Sequence, residues 1–214
     1  MKLAHIHARK AEPIWHVQLA IVIAVAMQLG LNSDLTVGPR YAIAVFELVL
    51  LFVLTVISPK VHGRRLRFRR ALAFALIALI TISNVLSLAL VLNNLFSAGV
   101  SDGKQLIISA VLIYLTNIIL FGLWYWELDG SGPGSEAGHA NEQDFLFPQT
   151  TAGAKDWEAS FFDYLYISIT NASAFSPTDT LPLSHRAKLL MSSQAFISLA
   201  TVALVAARAV NILA

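Results

Sequence analysis

The chain has 214 residues, of which 57% are hydrophobic and 13% are charged. This composition lies outside the usual range of soluble domains and indicates a polytopic membrane protein with a single domain. The sequence contains no cysteine, which excludes disulfides, cysteine-type zinc sites and thiol chemistry. The small net charge of +2 conceals basic and acidic residues that gather in different segments, a pattern that indicates membrane topology rather than nucleic-acid binding.

Hydrophobic stretches long enough to cross a bilayer predict five spanning helices. They cover residues 14–31, 41–57, 71–96, 105–126 and 189–213. A sixth apolar stretch, residues 157–170, is too short to span and is typical of a re-entrant helix. We therefore expect an all-α membrane helix bundle in one domain, 1–214. Its N-terminal helices occupy 14–104, and a pore-like module occupies 105–214 with an extramembrane connector, 128–156.

The loop charges give two predictions about sidedness that disagree. Residues 59–70, between the second and third helices, carry six basic residues and no acid, which predicts a cytoplasmic loop lying on anionic headgroups. Lys2, Arg9 and Lys10 place the N-terminus on the same side, before a retained first helix. The acidic, Gly-rich connector indicates an extracytoplasmic loop. Two predicted crossings separate the loops and would leave both on one side, so sidedness stays open for this protein, which we expect in a bacterial inner membrane.

Small and hydroxylic residues separate the short apolar stretch from the last hydrophobic helix, in the sequence TNASAFSPTD at 170–179. A selectivity filter needs carbonyl or hydroxyl oxygens directed at an axis and residues small enough for chains to approach each other. The candidate pore-loop residues are Thr170, Asn171, Ala172, Ser173, Ala174, Phe175 and Ser176. The dipole of a preceding helix would stabilise a cation near Thr170. Alternatively, the segment is a surface turn before the last helix.

Residues 164–210 resemble the pore loop and inner helix of the tetrameric potassium-channel superfamily. In that family an aromatic-rich pore helix leads into Thr-Val-Gly-Tyr-Gly-Asp, followed by a linker with Pro and Thr, a basic residue and an apolar inner helix. Residues 164–171 match the pore helix and 172–177 the filter. The linker corresponds to 179–182, and the basic residue to Arg186 or Lys188.

The filter departs from the family pattern at its glycines. Ala174 and Ser176 replace the two glycines, and Pro177 replaces the following aspartate. Those glycines adopt backbone angles that are costly for other residues, so we expect an altered filter without the potassium pattern. The resemblance implies a homo-oligomer, a tetramer, that conducts monovalent cations passively in the lipid bilayer. It implies no cofactor, and no catalytic constellation points to an enzyme.

Charged residues inside predicted spans give a second functional hypothesis. Glu47 lies in the middle of the second helix and Arg208 lies in the last, where they would pair if the two helices touch. A small secondary transporter that uses Glu47 to carry a proton is the alternative to a channel. A non-conducting membrane scaffold is the third possibility. Four asparagines are expected to make interhelical hydrogen bonds: Asn84, Asn93, Asn94 and Asn117.

Overall fold

A computed structural model describes residues 14–31, 35–36, 38–57, 64–96, 103–129, 143–154, 157–173 and 179–213. These residues form α1 (Trp15–Leu29), α2 (Arg40–Ile57), α3 (Arg64–Phe96), α4 (Gly103–Leu128), β1 (Phe145–Leu146), α5 (Pro148–Thr151), α6 (Phe161–Ser173), β2 (Leu181–Pro182) and α7 (His185–Leu213). The two short strands pair in antiparallel fashion, with Phe145 opposite Pro182. The all-α prediction is confirmed apart from this one pairing.

In the part of the chain that the structure describes, three helices are long and apolar enough to cross a membrane: Arg67–Asn94, Lys104–Leu128 and His185–Ala207. They belong to α3, α4 and α7, and they indicate a membrane protein. Helices α1 and α2 coincide with the other two predicted spans but have only 15 and 18 residues. At 1.5 Å per residue these are about 22 and 27 Å long, short of the roughly 30 Å hydrocarbon core. The structure therefore supports three of the five predicted spans.

Helix α4 lies at the centre of the bundle. It packs against α1, α3, α6 and α7, and Leu120, Leu123 and Tyr125 on it are completely buried. In the spanning part of α4, 61% of the residues are buried, compared with 22% in α7. Helix α7 therefore leaves most of its surface uncovered by the described part of this chain.

Helix α6 lies very close to α4 at Gly122. A Cβ atom at this position would lie 3.2 Å from the Cα of Leu165, so the glycine permits backbone approach. One turn further along α6, the Ser168 hydroxyl donates to the carbonyl oxygen of Ile118 at 2.6 Å. Later residues of α6 therefore contact earlier residues of α4. Helix α6 is therefore antiparallel to α4 and enters the bundle from the C-terminal end of α4.

A buried ion pair joins the start of α3 to the end of α4. Arg69 Nη2 donates to Glu127 Oε1 at 3.2 Å, and the two side chains are 6% and 2% exposed. Arg70 Nη2 donates to the carbonyl oxygen of Glu127, also at 3.2 Å. We call the end of the bundle that holds Arg69 and Glu127 the basic end.

The ion pair corrects two sequence predictions. Residues 59–70 are not a loop throughout, because α3 begins at Arg64 within the basic segment; arginine and leucine are good helix formers. Arg69 is a core residue rather than a headgroup contact. Since Glu127 directly precedes the acidic connector, the basic segment and the connector start at the same end of the bundle, and their assignment to opposite sides is wrong.

Candidate functional site

Helix α6 begins at the basic end with a side-chain cap. Ser160 precedes the helix, and Asp163 Oδ2 accepts hydrogen bonds from the Ser160 backbone N–H and hydroxyl, both at 2.7 Å. Both bonds run from Ser160 to the Asp163 carboxylate, which satisfies the backbone N–H of the residue before the helix, as the acidic residue of a capping box does. The predicted re-entrant helix therefore starts at Phe161 rather than at residue 157.

A half-buried carboxylate, Asp129, ties α6 to the end of α4. The Tyr164 hydroxyl donates to Asp129 Oδ2 at 2.5 Å. The backbone N–H groups of Asp144 and Phe145 donate to Oδ1 at 2.6 and 3.3 Å. Burial raises the pKa of Asp129, while the hydrogen bond from Tyr164 opposes this shift. Helix α4, the connector and α6 therefore meet at one carboxyl group.

Asp144 fixes the start of α7 at the same place. Its Oδ1 atom accepts hydrogen bonds from the Ser184 hydroxyl and from Arg186 Nε, the latter at 2.7 Å. Its backbone carbonyl oxygen accepts from the Leu183 N–H at 2.8 Å. The strand pairing of β1 with β2 reinforces this junction. The chain just before α6 and the chain just after the predicted pore loop thus lie together at the basic end.

Deeper in the bundle, four polar side chains form what we call the polar cluster: Tyr125, Ser168, Asn171 and Gln194. Gln194 on α7 is completely buried. Its Nε2 atom donates to the Ser168 carbonyl and hydroxyl oxygens at 2.9 and 2.7 Å. Its Oε1 atom accepts from the Tyr125 hydroxyl at 2.5 Å and from Asn171 Nδ2 at 2.9 Å. Every hydrogen-bonding position of this amide is therefore used.

The polar cluster holds the C-terminal half of α6 between α4 and α7. Asn171 Nδ2 also donates to the Met191 carbonyl oxygen on α7, at 2.9 Å. Next to the cluster, Asn117 on α4 donates to the Ser198 hydroxyl on α7 at 3.1 Å. Buried polar groups that are fully paired select one packing arrangement, because any shift leaves a donor or acceptor without a partner.

The end of α6 divides the predicted pore loop. The first four candidates continue the helix as its last turn: Thr170, Asn171, Ala172 and Ser173. The hydroxyl of Thr170 donates to the Tyr166 carbonyl oxygen at 2.9 Å, and that of Ser173 to the Ile169 carbonyl oxygen at 2.7 Å. Thr170 and Asn171 are thus helical, as the match of 164–171 to a pore helix implies, whereas Ala172 and Ser173 are helical although they were assigned to the filter. Ala174, Phe175 and Ser176 lie outside the described residues.

The structure does not support a pair between Glu47 and Arg208. Glu47 is completely buried, and neither of its carboxylate oxygens has a hydrogen-bond partner within the described ranges. It lies ten residues before Ile57, or about 15 Å from the basic end, whereas Arg208 lies about 35 Å along α7 from His185. The side chain of Arg208 is outside the described residues.

Most of the polar residues that form hydrogen bonds with α6 were not predicted to do so from the sequence. Ser168 and Asn171 are three residues apart and share one face of α6, and Gln194 and Ser198 are four apart and share one face of α7. These two polar faces could have predicted hydrogen bonds between the helices. The interhelical prediction is confirmed for Asn117 and for Asn84, which donates to the Ile113 carbonyl oxygen at 3.2 Å. It is wrong for Asn94, which donates to the Leu90 carbonyl oxygen of its own helix. Asn93 is exposed.

Within the described ranges, no group of three or more His, Cys, Asp or Glu residues is placed to hold a metal ion. The chemistry that the site offers is therefore that of hydrogen-bond donors, carbonyl oxygens and helix ends. No protein-family model, no curated protein and no solved structure matches the chain.

Proposed function

We propose that the chain assembles as a homo-tetramer and conducts monovalent cations passively through the loop that follows α6. In this proposal α4, α6 and α7 correspond to the outer helix, pore helix and inner helix of the potassium-channel superfamily, with a filter that departs from the potassium pattern. The observation that carries the proposal is the position of α6. It is a short helix between two helices of spanning length, and the chain on both of its sides is anchored at the basic end.

The depth of α6 fits a re-entrant helix. Its 13 residues extend about 20 Å, and the 26 residues of α4 extend about 39 Å. Since α6 starts at the basic end and runs antiparallel to α4, its C-terminus lies near the middle of the bundle. The chain then returns to β2 at the basic end. A path that enters and leaves on one side is what a pore loop requires.

The end of α6 suits a cation electrostatically. Its last turn contains no basic residue, so the partial negative charge of the helix C-terminus is not neutralised there. The hydroxyls of Thr170 and Ser173 donate back into the helix, which leaves their oxygen lone pairs available as acceptors. The filter itself would then consist of Ala174, Phe175 and Ser176, beyond the helix.

An oligomer is part of the proposal because one loop cannot surround an axis. The least covered of the three long helices is α7, and its outward face mixes Ser192, Ser193 and Phe196, all exposed. On α6, Phe162 and Tyr166 are exposed as well. In a tetramer these faces would pack against neighbouring copies or line the conduction path, while the other apolar faces would contact lipid.

We place the basic end in the cytoplasm, with α1 and α2 completing five spans. Of the fifteen Lys and Arg residues, only Arg40, Lys104 and Arg208 belong to the other end by chain order. The positive-inside rule assigns the end with more basic residues to the cytoplasm. A cysteine at Ser135 should therefore resist an impermeant thiol reagent in intact cells and react after permeabilisation. A cysteine at Ser101, between α3 and α4, should react in intact cells. The reverse pattern would place the loop on the outer side.

Flux from proteoliposomes tests conduction. Potassium, sodium and chloride gradients are imposed separately, and the double variant Ser173→Ala/Phe175→Ala is compared with wild type. We expect cation flux whose sodium-to-potassium ratio changes in the variant, because the loop contacts the ion. Thr150→Ala, on the exposed helix α5, is the control and should leave the ratio unchanged. Absence of flux under every gradient and voltage would refute the channel proposal.

A proton-coupled carrier is the second candidate function. The observation that favours it is Glu47, which is buried and has no hydrogen-bond partner among the described residues. A carboxyl group inside a membrane segment is costly and often marks a proton path. Glu47→Gln in the same vesicles separates the two candidates. A channel keeps its passive conductance, whereas a carrier loses proton-coupled uptake.

A further inference from the structure

A groove at the basic end lies between α1, α2, α3 and α4. It encloses a cavity of about 40 Å³. Its walls are mostly apolar and include Val17, Leu51, Leu54, Ala73, Leu76 and Leu123. Neither α6 nor α7 contributes to the walls, so the groove is separate from the proposed conduction path.

One end of the groove is polar and cationic. Arg69 and Glu127 line it, and Arg69 Nε is buried without an acceptor in the described part of the chain. The ion pair with Glu127 uses Nη2, so the Nε–H remains available to a ligand. Gln18 and Thr55, hydrogen-bonded to each other at 2.9 Å, also line the groove, and Thr55 is exposed. The groove is thus open on the α1–α2 side.

We propose that this groove binds one phospholipid with an anionic headgroup. A phosphate oxygen accepts from Arg69 Nε, and part of an acyl chain lies along the apolar walls. Phosphate oxygens are strong acceptors for guanidinium donors. Apolar walls that lead to a single cationic donor match an amphiphile rather than a soluble anion, and basic pockets between membrane helices on the cytoplasmic side bind anionic lipids. Arg67 and half-exposed Arg70 add positive charge at the same level.

The test is a titration of delipidated protein in neutral detergent with lipids whose acyl chains carry bromine, a quencher of tryptophan fluorescence. Trp126 lines the groove, so a bound brominated lipid should quench its fluorescence. The variant Trp126→Phe shows how much of the total quenching comes from Trp126. We expect phosphatidylglycerol to bind about tenfold more tightly than phosphatidylcholine with the same chains. Arg69→Gln/Glu127→Gln removes the Nε donor without a change in net charge and should weaken phosphatidylglycerol binding about tenfold.

Two further variants separate the headgroup from the chain. Ala73→Leu fills the groove without changing charge and should weaken phosphatidylglycerol binding about tenfold. Lys188→Gln removes an exposed charge at the basic end but outside the groove, and should change nothing. The proposal is overturned if the two lipids bind equally to wild type, if Ala73→Leu binds as wild type does, or if inorganic phosphate displaces the lipid.

Discussion

Arg69→Gln should lower the free energy of unfolding by about 3–5 kcal/mol, the usual result of removing one partner of a buried ion pair. Glu127 is 2% exposed, so its carboxylate would remain in the core with only the longer contact to Arg70, at 3.8 Å. The loss arises mainly from a buried charge without compensation, and much less from the Coulomb attraction itself. Unfolding of the purified protein in detergent, followed by circular dichroism, measures the change.

The matched control replaces both partners. Arg69→Gln/Glu127→Gln leaves two neutral amides that can bond to each other, so most of the lost stability should return. Lys188→Gln removes an exposed charge on α7 and should change stability by less than about 0.5 kcal/mol. If the single and double variants unfold alike, the two side chains do not interact in the core and the shared basic end must be abandoned.

The positions of the helices were predictable because their apolar stretches are long and continuous. Each of the five predicted spans coincides with a helix, with the largest difference at the start of α3. The low hydropathy of residues 64–70 excluded them from the predicted span. They are nevertheless part of helix α3, because their helix propensity and the contact of Arg69 with Glu127 stabilise the helix there. Hydropathy measures transfer from water and does not detect a buried charge that has a partner in another helix.

The junction at the basic end was not predictable, because it depends on pairs far apart in the chain. Asp129 and Asp144 were interpreted as part of a solvated acidic connector. In the structure Asp129 is half-buried and accepts a hydrogen bond from the Tyr164 hydroxyl. Asp144 is buried and accepts one from Arg186. Net charge along a segment does not distinguish a carboxylate in water from one that accepts hydrogen bonds in a core. The start of the connector lies at the same end of the bundle as Arg69 and Arg70, so its acidity does not assign it to the opposite side.

The candidate site was predictable in location but not in conformation. The short apolar stretch before the last helix does form a separate helix between α4 and α7. Its end was placed too early because Thr170 and Ser173 were interpreted as filter residues, although both hydroxyls can bond to carbonyl oxygens three or four residues earlier and extend a helix. Small hydroxylic residues suit either a filter or a helix end, and the three-dimensional contacts of Asn171 decide between them.

Gln194→Leu should destabilise the protein by about 2–4 kcal/mol and change its ion flux. Leucine has a volume similar to that of glutamine, but it provides neither a hydrogen-bond acceptor nor a donor. The Tyr125 hydroxyl then loses its acceptor, and Ser168 keeps only its bond to Ile118. Asn171 loses its bond to Gln194 but keeps those to the Met191 carbonyl oxygen and, at 3.4 Å, to the Tyr125 hydroxyl. An unsatisfied buried polar group costs about 1–3 kcal/mol, and here one group is orphaned while two are weakened. Unfolding in detergent and flux from proteoliposomes measure the two effects.

A second substitution distinguishes the loss of stability from the change in flux. Tyr125→Phe combined with Gln194→Leu removes the orphaned hydroxyl together with its acceptor, so stability should recover by about 1–2 kcal/mol. Flux should stay altered, because Asn171 then keeps only the Met191 carbonyl oxygen as a partner on α7 and the end of α6 is held less firmly. Thr150→Ala, on the exposed helix α5, should leave stability and flux unchanged. If the double variant regains wild-type selectivity, the polar cluster stabilises the fold without positioning the loop, and the filter must be sought elsewhere in the chain.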